Sequence, residues 1–343
     1  MHRLSWKIAV ILLFLFLLSA CGKKDVKSSN QEAQGDSAIT GELKFYTSQP
    51  DEDAATLVKG FNEEYPNVKV ETFRSGTEEV ISKIKAEKQA GSVEADVLLV
   101  ADTVTFEGLK EEGFLHPYQS KEASALPDDM YDPEGCYYGT KVMATGIIVN
   151  TEQVKELPDS WEILIAKDAK KKAIMPSPFY SGAAAYTIGV LSRQNPFGWD
   201  YLKQLKVNGM TVTKGNGAVL KAVASGEASY GVVVDFIAAR AKEEGSPVDF
   251  IYPKEGVPVI TEPIGMMKDT KNKEAAEAFI DFILSEKGQK LAAEIGYTPI
   301  RKGVHAPEGL KQIDELHVIQ ANISDLYRSR EVDKKQFSGI FGE

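Results

Sequence analysis

The sequence predicts an α/β fold in which a largely parallel sheet is covered by helices. Residues 42–46 and 68–73 alternate apolar and polar side chains, as strands with one buried face do, and residues 95–100 form a short apolar strand. Between these strands, the apolar side chains of residues 54–61 and 80–84 recur at helical spacing. Regular alternation of strand and helix indicates parallel strands joined by crossover helices.

The rest of the chain continues this alternation. Strands are predicted at residues 141–150, 173–175 and 230–234, with two extended pieces on either side of Glu262-Pro263. Helices are predicted from Ser160 onwards and at residues 181–193, 216–225, 273–285 and 286–294. Residues 303–343 are predicted to be mostly helical and carry no chemical signal.

Residues 1–20 are predicted to be an export signal. Eleven apolar residues, 8–18, follow the basic residues Arg3 and Lys7, which is the pattern of a secretory signal peptide. A helix that spans a bilayer needs about 20 apolar residues. This run is therefore interpreted as a signal and not as a transmembrane anchor.

Residues 18–21, Leu-Ser-Ala-Cys, followed by Gly22, resemble the lipobox of bacterial lipoproteins. In those proteins the cysteine becomes the first mature residue and carries lipid. The resemblance implies lipidation of Cys21 and an anchor on the outer face of the cytoplasmic membrane, or on an outer membrane if the cell has two. The alternative is an ordinary signal peptide cut after Ala20. Residues 21–40 are mostly polar and predict a flexible tether.

The composition argues against several classes of function. Without residues 1–20 the chain has 38 basic and 50 acidic residues, a net charge of −12, which argues against nucleic-acid partners. Apart from Cys21 the sequence contains one cysteine, Cys136, so a lipidated Cys21 leaves no pair for an intramolecular disulfide. The four histidines are scattered and have no metal-site spacing. No cofactor, histidine-based metal site or Cys-His nucleophile is therefore expected.

Four predicted strand-to-helix turns are rich in small residues. They are Thr47-Ser48, Ser75-Gly76-Thr77, Ser181-Gly182-Ala183 and Gly215-Asn216-Gly217. A helix N-terminus presents free backbone N–H groups and the positive end of the helix dipole, so several that converge form an anion site. The carboxyl ends of the strands in an open α/β sheet face the ligand crevice. Together the turns predict a site for a carboxylate, phosphate or phosphonate; the alternative for each turn alone is an ordinary N-cap.

Three acidic residues follow or interrupt predicted strands. Asp102 and Asp235 come after the apolar strands that end at residues 100 and 234, and Glu262 lies in an extended segment. A carboxylate in such a place is costly unless it is paired or solvated, and in a cleft it could accept hydrogen bonds from hydroxyl groups or an amine. The alternatives are N-caps for Asp102 and Asp235 and a surface salt bridge for Glu262. Paired carboxylates of a glycoside hydrolase are a weaker alternative.

Residues 41–300 resemble the type II substrate-binding lipoproteins of bacterial ABC importers. The resemblance lies in the branch that includes receptors for ferric iron, 2-aminoethylphosphonate and phosphorylated sugars. The order and spacing of eight segments carry it: Phe45-Tyr46-Thr47-Ser48, 75–87, Ala95-Asp96-Val97, 145–150, 181–186, 223–228, 255–258 and 296–301.

This resemblance implies a two-lobed periplasmic-binding-protein-like fold of type II. Each lobe would be a central β-sheet flanked by helices, and two hinge strands would cross near residues 141–145 and 260–263. After the signal (1–20) and the tether (21–40), lobe 1 would comprise residues 41–142 plus 263–300, and lobe 2 residues 143–262 plus 301–343. Such lobes close on their ligand by a hinge motion.

One departure from the family bears on the ligand. Ferric-binding relatives commonly carry two adjacent tyrosines after the strand that follows the Gly-Glu-Ala segment, whereas residues 234–237 read Val-Asp-Phe-Ile. An aspartate at this place resembles the receptors for phosphorylated organic ligands. Iron therefore becomes the alternative, with Tyr137 or Tyr138 as its ligands.

The sequence predicts a receptor without catalytic activity that captures a small phosphonate or phosphorylated solute for an ABC permease. The predicted anion-binding residues are Ser48, Ser75, Gly76, Thr77, Thr145, Ser181, Gly182 and Ala183, and the predicted readers of hydroxyl or amine groups are Asp235, Asp102 and Glu262. The chain is expected to be a monomer held at the membrane by Cys21. A surface hydrolase is disfavoured because no G-x-S-x-G motif is present, and a purely structural lipoprotein would bind no small molecule.

Overall fold

A computed structural model describes residues 39–342. The signal, Cys21 and nearly all of the tether lie outside this range. Within it, none of the helices combines the length and the apolar character that crossing a bilayer requires.

Strands and helices alternate along most of the chain. The first half contains β1 (Gly41–Thr47), α1 (Asp51–Glu64), β2 (Val68–Arg74), α2 (Thr77–Ala90), β3 (Val97–Leu99), α3 (Thr103–Glu111), β4 (Leu115–His116) and β5 (Tyr138–Asn150). The middle contains β6 (Ala173–Pro176), α4 (Gly182–Leu191), α5 (Gly198–Val207), β7 (Thr211–Thr213), α6 (Asn216–Ala224), β8 (Tyr230–Val234), α7 (Asp235–Glu243) and β9 (Val248–Ile251). The last part contains β10 (Val259–Met267), α8 (Lys273–Leu284), α9 (Glu286–Ile295), β11 (Thr298–Pro299) and α10 (Ile323–Phe341).

The sheet is mixed, with parallel strands at both ends and antiparallel strands in the middle. Its order is β2-β1-β3-β10-β5-β8-β6-β7. The pairs β1–β2, β1–β3, β6–β7 and β6–β8 are parallel, as the alternation with helices predicts. The strands β10 and β5 run antiparallel to their neighbours, so the largely parallel sheet expected from the sequence is interrupted at its centre.

The long strand β5 joins the two ends of the sheet. Its residues 138–144 pair with β10, and its residues 145–149 pair with β8. We call the part built on β1, β2 and β3 lobe 1, and the part built on β6, β7 and β8 lobe 2. Contacts among the described residues join both lobes in one compact unit, so they mark no boundary between the lobes. The boundaries given in the sequence analysis therefore stay a prediction.

Helices cover both faces of the sheet in each lobe. In lobe 1, Phe45 packs with Phe61 and Phe279 on one face, while Tyr46 packs with Val80 and Phe106 on the other. In lobe 2 the successive β8 residues Val232, Val233 and Val234 alternate between two apolar clusters in the same way. This alternation follows from the two-residue period of a strand and explains why β3 and β8 are apolar throughout.

Several elements differ from the sequence prediction. The helix expected from Ser160 is a short 3₁₀ turn, Trp161–Ile165, because Trp161 is fully buried and its indole N–H donates to the Gly256 carbonyl group. The helices α3, α5 and α7 are absent from the predicted helices, although an N-cap was the alternative stated for Asp102 and Asp235. The two extended pieces around Glu262-Pro263 are one strand, β10, with a register shift at that point.

The C-terminal part of the chain contains less helix than expected. Helix α10 covers residues 323–341, whereas residues 303–322 are mostly irregular and touch lobe 2 through an isolated bridge between Val257 and Val318.

Helix α10 contacts both lobes. Arg330 pairs with Asp102 at the start of α3 at 3.0 and 3.1 Å and with Glu78 in α2 at 3.2 Å. Lys334 pairs with the same Glu78 at 2.7 Å. Towards its end, the buried Phe337 packs in the core of lobe 2. The helix is thus held to lobe 1 by charge and to lobe 2 by apolar contact and by the Arg193–Asp333 ion pair at 2.8 Å.

Loss of the Arg330 side chain should destabilise the folded protein strongly. In Arg330→Met the Asp102 carboxylate, which is 0 % exposed, loses its ionic partner, and an unpaired buried charge costs about 3 to 5 kcal/mol. Urea unfolding would measure the loss. The matched control is Lys203→Met, which breaks an exposed pair with Asp200 and should leave the midpoint unchanged. Equal effects of the two variants would contradict a structural role for the Arg330 pairs.

Candidate functional site

A cleft of about 550 Å³ lies between the two lobes, at the carboxyl ends of β1, β2, β3 and β8. Lobe 1 contributes Ser48, Gln49, Pro50, Asp51, Glu52, Arg74, Gly76, Thr77 and Ala101 to its lining. Lobe 2 contributes Tyr180, Ser181, Ala183, residues 214–218, Val234, Phe236 and Ile237, and the crossing strands and the segment after α9 contribute Met143, Glu262 and Tyr297. Strand ends at an interlobe crevice are where open α/β sheets bind ligands.

Within the described part of the chain, five helices begin at this cleft, and three of them, α2, α4 and α6, start from a glycine or serine. Gly76, Ser181 and Gly215 are the N-cap residues of α2, α4 and α6. The Ser181 hydroxyl accepts the Ala184 N–H at 3.2 Å, whereas Gly76 and Gly215 have no side chain that could cap a helix. The N-terminal ends of these three helices, with the positive ends of their dipoles, therefore lie around one volume, and of the first-turn N–H groups in α2 that of Glu78 is already bonded to the Tyr180 carbonyl group.

Two basic side chains add positive charge at the same place. Arg74 donates to the Gln49 carbonyl oxygen at 2.7 Å, so its guanidinium group is fixed beside the first turn of α1. Lys214 lies 4.4 Å from the centre of the Tyr180 ring and 3.2 Å from Glu79. Asp51 and Glu52 contribute the opposite charge from the exposed first turn of α1.

The two lobes come into close contact at two glycine residues. A Cβ atom on Gly76 would lie 2.5 Å from the Tyr180 ring of the other lobe, and one on Gly182 would clash with the Ala101 carbonyl oxygen. The Tyr180 carbonyl group also accepts the Glu78 N–H at 3.3 Å. Glycine at residues 76 and 182 is therefore a condition for this contact.

The inner wall of the cleft is formed by a buried polar network. Glu262 lies 2.5 Å from the Lys141 ammonium group and accepts a hydrogen bond from the Gln49 amide at 3.1 Å. Lys141 lies 4.7 Å from the centre of the Tyr297 ring, and the Tyr297 hydroxyl donates to Asp53 at 2.6 Å. This network therefore joins both crossing strands to the start of α1.

A second ion pair extends this network into lobe 2. Arg240 of α7 donates to both carboxylate oxygens of Asp53, at 2.9 and 3.2 Å. Because Asp53 belongs to α1, the pair links the two lobes directly across the inner end of the cleft.

The structure places about half of the predicted site residues in the cleft. Those that line it are Ser48, Gly76, Thr77, Ser181, Ala183 and Glu262. Ser75 precedes the helix and bonds to Glu79. Gly182 packs against Ala101, as described above. Thr145 borders a separate cavity of about 20 Å³ and accepts a hydrogen bond from Thr187 at 3.0 Å.

The structure does not bring the predicted carboxylates Asp102 and Asp235 into the cleft. Asp102 caps α3, accepting the Thr105 N–H at 2.8 Å, and pairs with Arg330 on the outer side. Asp235 is 2 % exposed and accepts hydrogen bonds from the Phe236 N–H and the Tyr252 hydroxyl at 2.9 and 3.2 Å. Its neighbours in α7 reach the cleft, whereas its own side chain turns into the protein.

Tyr137 and Tyr138 lie in the core of lobe 1 and not in the cleft. The Tyr137 hydroxyl donates to Glu107, and the Tyr138 hydroxyl donates to the Tyr118 carbonyl oxygen. Burial and the nearby Glu107 carboxylate raise the pKa of Tyr137 above its usual value, which opposes the phenolate form that binds Fe(III). Among residues 39–342, no cluster of three His, Cys, Asp or Glu side chains is suited to a metal ion.

Several cleft residues are absent from the predicted site residues. Gln49, Arg74, Tyr180, Lys214 and Tyr297 all line the cleft. Gln49 and Arg74 stand beside predicted site residues at the ends of β1 and β2, so their position in the sequence was an available signal. Tyr180 and Tyr297 belong to a group of aromatic residues near the predicted turns, of which the sequence expected one or two to line the cleft, and folding brings Tyr297 to the start of α1.

Asp235 should make the stability of the protein depend on pH. Burial raises its pKa from 3.8 to about 7. Since the folded state keeps a proton that the unfolded state releases, the unfolding free energy falls as the pH rises from about 4 to 7 and is level above 7. Asp235→Asn should remove this fall. Between pH 4 and pH 8 the unfolding free energy of the variant should therefore rise by about 2 to 4 kcal/mol relative to that of the wild type. Urea unfolding at several pH values would test it.

The control for this measurement is Asp200→Asn, which changes an exposed carboxylate and should keep the wild-type fall. An unchanged pH profile in Asp235→Asn would contradict the assignment.

A methyl group at residue 182 should weaken closure of the lobes. In Gly182→Ala the new Cβ would clash with the Ala101 carbonyl oxygen, and backbone atoms must move to relieve such a contact. We expect the affinity for a cleft ligand to fall about 10- to 100-fold, measured by isothermal titration calorimetry. The control Gly339→Ala lies in α10, where a Cβ meets no atom within 4 Å. Equal affinities of the two variants would contradict the steric argument.

The family model of the bacterial extracellular solute-binding proteins matches residues 47–290. Iron uptake protein A1 of Synechocystis is 26 % identical, over 84 % of this chain and 82 % of its own. Among solved structures, the periplasmic binding protein AfuA of Actinobacillus pleuropneumoniae, with fructose-6-phosphate bound, superimposes with a TM-score of 0.81 at 24 % identity, covering 88 % of this chain and 99 % of AfuA.

Iron-bound HitA of Pseudomonas aeruginosa superimposes with a TM-score of 0.76 at 21 % identity, covering 86 % of this chain and 99 % of HitA. The structures establish the shared fold, and the family model establishes membership, because it spans both lobes and the crossing strands. The chain therefore belongs to the bacterial extracellular solute-binding proteins, as an extracytoplasmic type II binding protein of an ABC importer.

Proposed function

We propose that the interlobe cleft binds a small organic anion that carries a phosphonate or phosphate group, and that the protein delivers it to an ABC permease. The observation that supports this proposal is the convergence of three helix starts, at Gly76, Ser181 and Gly215, on one cleft that also contains Arg74 and Lys214. Backbone N–H groups at helix N-termini are suited to the oxygens of a phosphoryl group.

Local charge favours an anion although the whole protein is acidic. The mature chain has a net charge of −12, but helix dipoles act over the first turn. Charges at a distance greater than about 8 Å are largely screened at physiological ionic strength. The ligand therefore experiences the three helix ends, Arg74 and Lys214, together with Asp51 and Glu52 at the exposed start of α1, more than the remote acidic surface.

Ferric iron is the alternative ligand. It is favoured by the names of two related proteins, the Synechocystis iron uptake protein and iron-bound HitA. The positions of Tyr137 and Tyr138 in the core weigh against it, so an iron site would need Tyr180 or another ligand from the cleft.

The remaining parts of the proposal concern delivery. A lipid on Cys21 and a tether at residues 22–40 would keep a monomeric receptor within reach of its permease, while closure of the lobes would mark the loaded form. Neither this role nor the ligand requires catalysis by the protein.

A thermal-shift screen would separate the proposed ligands. Phosphonates, sugar phosphates, phosphoglycerates, dicarboxylates and Fe(III) should be compared, because a ligand that binds the folded state raises its melting temperature by mass action. We expect organic phosphates or phosphonates to stabilise the protein most. Stabilisation by Fe(III) alone, with a tyrosinate charge-transfer band, would contradict the proposal and support the alternative.

Substitution of Ser181 tests the helix starts themselves. Aspartate and asparagine are both good N-caps, so Ser181→Asp and Ser181→Asn should fold alike, while only aspartate places a negative charge at the anion site. We expect the stabilising anion of the screen to lose at least about 100-fold in affinity with Ser181→Asp and much less with Ser181→Asn. Equal affinities of the two variants would exclude an anion at the start of α4.

A further inference from the structure

Gln49 lines the cleft and has a side-chain acceptor without a hydrogen-bond partner among the described residues. Its side chain lines the cleft and is 1 % exposed, and within residues 39–342 its Oε1 atom has no hydrogen-bond partner. A buried amide oxygen without a donor is unfavourable. The site therefore gains free energy from any ligand that brings a donor to this atom.

The orientation of the Gln49 amide follows from its neighbour. Its Nε2 atom donates to Glu262 Oε2 at 3.1 Å, and Glu262 is paired with Lys141 at 2.5 Å. An amide with its oxygen and nitrogen exchanged would set its carbonyl oxygen against a carboxylate, which is repulsive. The charge of Glu262 thus fixes Nε2 as the atom that bonds to the carboxylate and leaves Oε1 as the amide atom available to a donor.

The backbone of Gln49 is also held in place. Its N–H donates to Thr47 Oγ1 at 3.1 Å, and its carbonyl oxygen accepts from Arg74 at 2.7 Å. The preceding residue, Ser48, donates its N–H to the Leu99 carbonyl oxygen at 3.2 Å. Because these bonds are made within the protein, the acceptor is positioned before a ligand arrives.

The charges behind Gln49 balance one another. Glu262 is paired with Lys141, and Asp53 is paired with Arg240. The buried inner wall therefore carries no net negative charge, and the unburied carboxylates of the cleft, Asp51 and Glu52, lie in the exposed first turn of α1. A hydroxyl group can donate to Oε1 without bringing a charge into this buried region, and it is therefore the donor best suited to this atom.

We propose that Gln49 is a specificity-determining residue whose Oε1 atom accepts a hydrogen bond from a hydroxyl group of the bound anion. The inference rests on the proposed function and narrows it: the solute is a hydroxylated organic phosphate or phosphonate, selected over its deoxy and amino analogues. Glu262 and Lys141 act as positioning residues, because they orient the amide.

Two matched sets of probes test this selection by calorimetry on the purified chain. The first is ethylphosphonate, 2-hydroxyethylphosphonate and 2-aminoethylphosphonate; the second is propyl phosphate and glycerol 3-phosphate. In at least one set the hydroxylated probe should bind about 10- to 100-fold more tightly than its deoxy partner, as expected for a donor that fills a buried acceptor. The amino probe should not exceed the hydroxylated one.

Two variants separate recognition from folding. Gln49→Met keeps the length of the side chain and removes both polar atoms, so the two members of each pair should bind within about threefold of each other. The double variant Lys141→Met/Glu262→Gln removes the ion pair without leaving an unpaired charge, and it allows the Gln49 amide to turn. Its preference for the hydroxyl group, measured as the ratio of the two affinities within each pair, should also fall to about threefold.

The outcomes distinguish this inference from the proposed function. Hydroxylated and deoxy probes that bind the wild type equally well, or a full hydroxyl preference in Gln49→Met, would overturn the role of Gln49 and leave anion binding intact. Tighter binding of the amino probe than of the hydroxylated probe would also overturn the role of Gln49. If none of the phosphonates or phosphates binds the wild type, the proposed function fails and the inference fails with it.

Discussion

A buried ion pair where two strands cross constrains the rest of this structure. Lys141 of β5 and Glu262 of β10 lie 2.5 Å apart, with side chains at most 5 % exposed. Charges so far from water persist only when they are paired and their other bonding groups are used. Here Gln49 donates to Glu262 and the Tyr297 ring lies against Lys141. The pair thus fixes both crossing strands, the turn before α1 and the segment after α9 relative to one another.

The cleft gains its binding chemistry from the positions of backbone groups more than from charged side chains. Strand ends set the starts of α2, α4 and α6 around one volume, and glycine at residues 76 and 182 lets the lobes meet there. Small residues in these turns serve two purposes, since they expose N–H groups to a ligand and remove the Cβ atoms that would keep the lobes apart. An acidic protein can bind an anion in this way because helix-end fields are local.

The carboxylates show how a strand-end position can serve different purposes. Asp102, Asp235 and Glu262 have similar local sequence contexts, yet Asp102 pairs with Arg330 from the far end of the chain, and Asp235 turns towards Tyr252. Glu262 alone lines the cleft, and even there it orients Gln49. Burial raises the pKa of Asp235 to about 7. Which of the three faces the ligand depends on partners brought together by folding.

The sequence by itself determined the α/β class, most strands and helices, and the glycine- and serine-rich helix starts. These features depend on side-chain periodicity and on backbone preferences, which act over a few residues. It did not determine which turns meet, that β5 and β10 run antiparallel at the centre of the sheet, or that Ser160 begins a 3₁₀ turn around the buried Trp161. The tertiary structure alone decided the roles of Gln49, Tyr297 and Arg330, because each depends on partners that are distant along the chain and become neighbours only on folding.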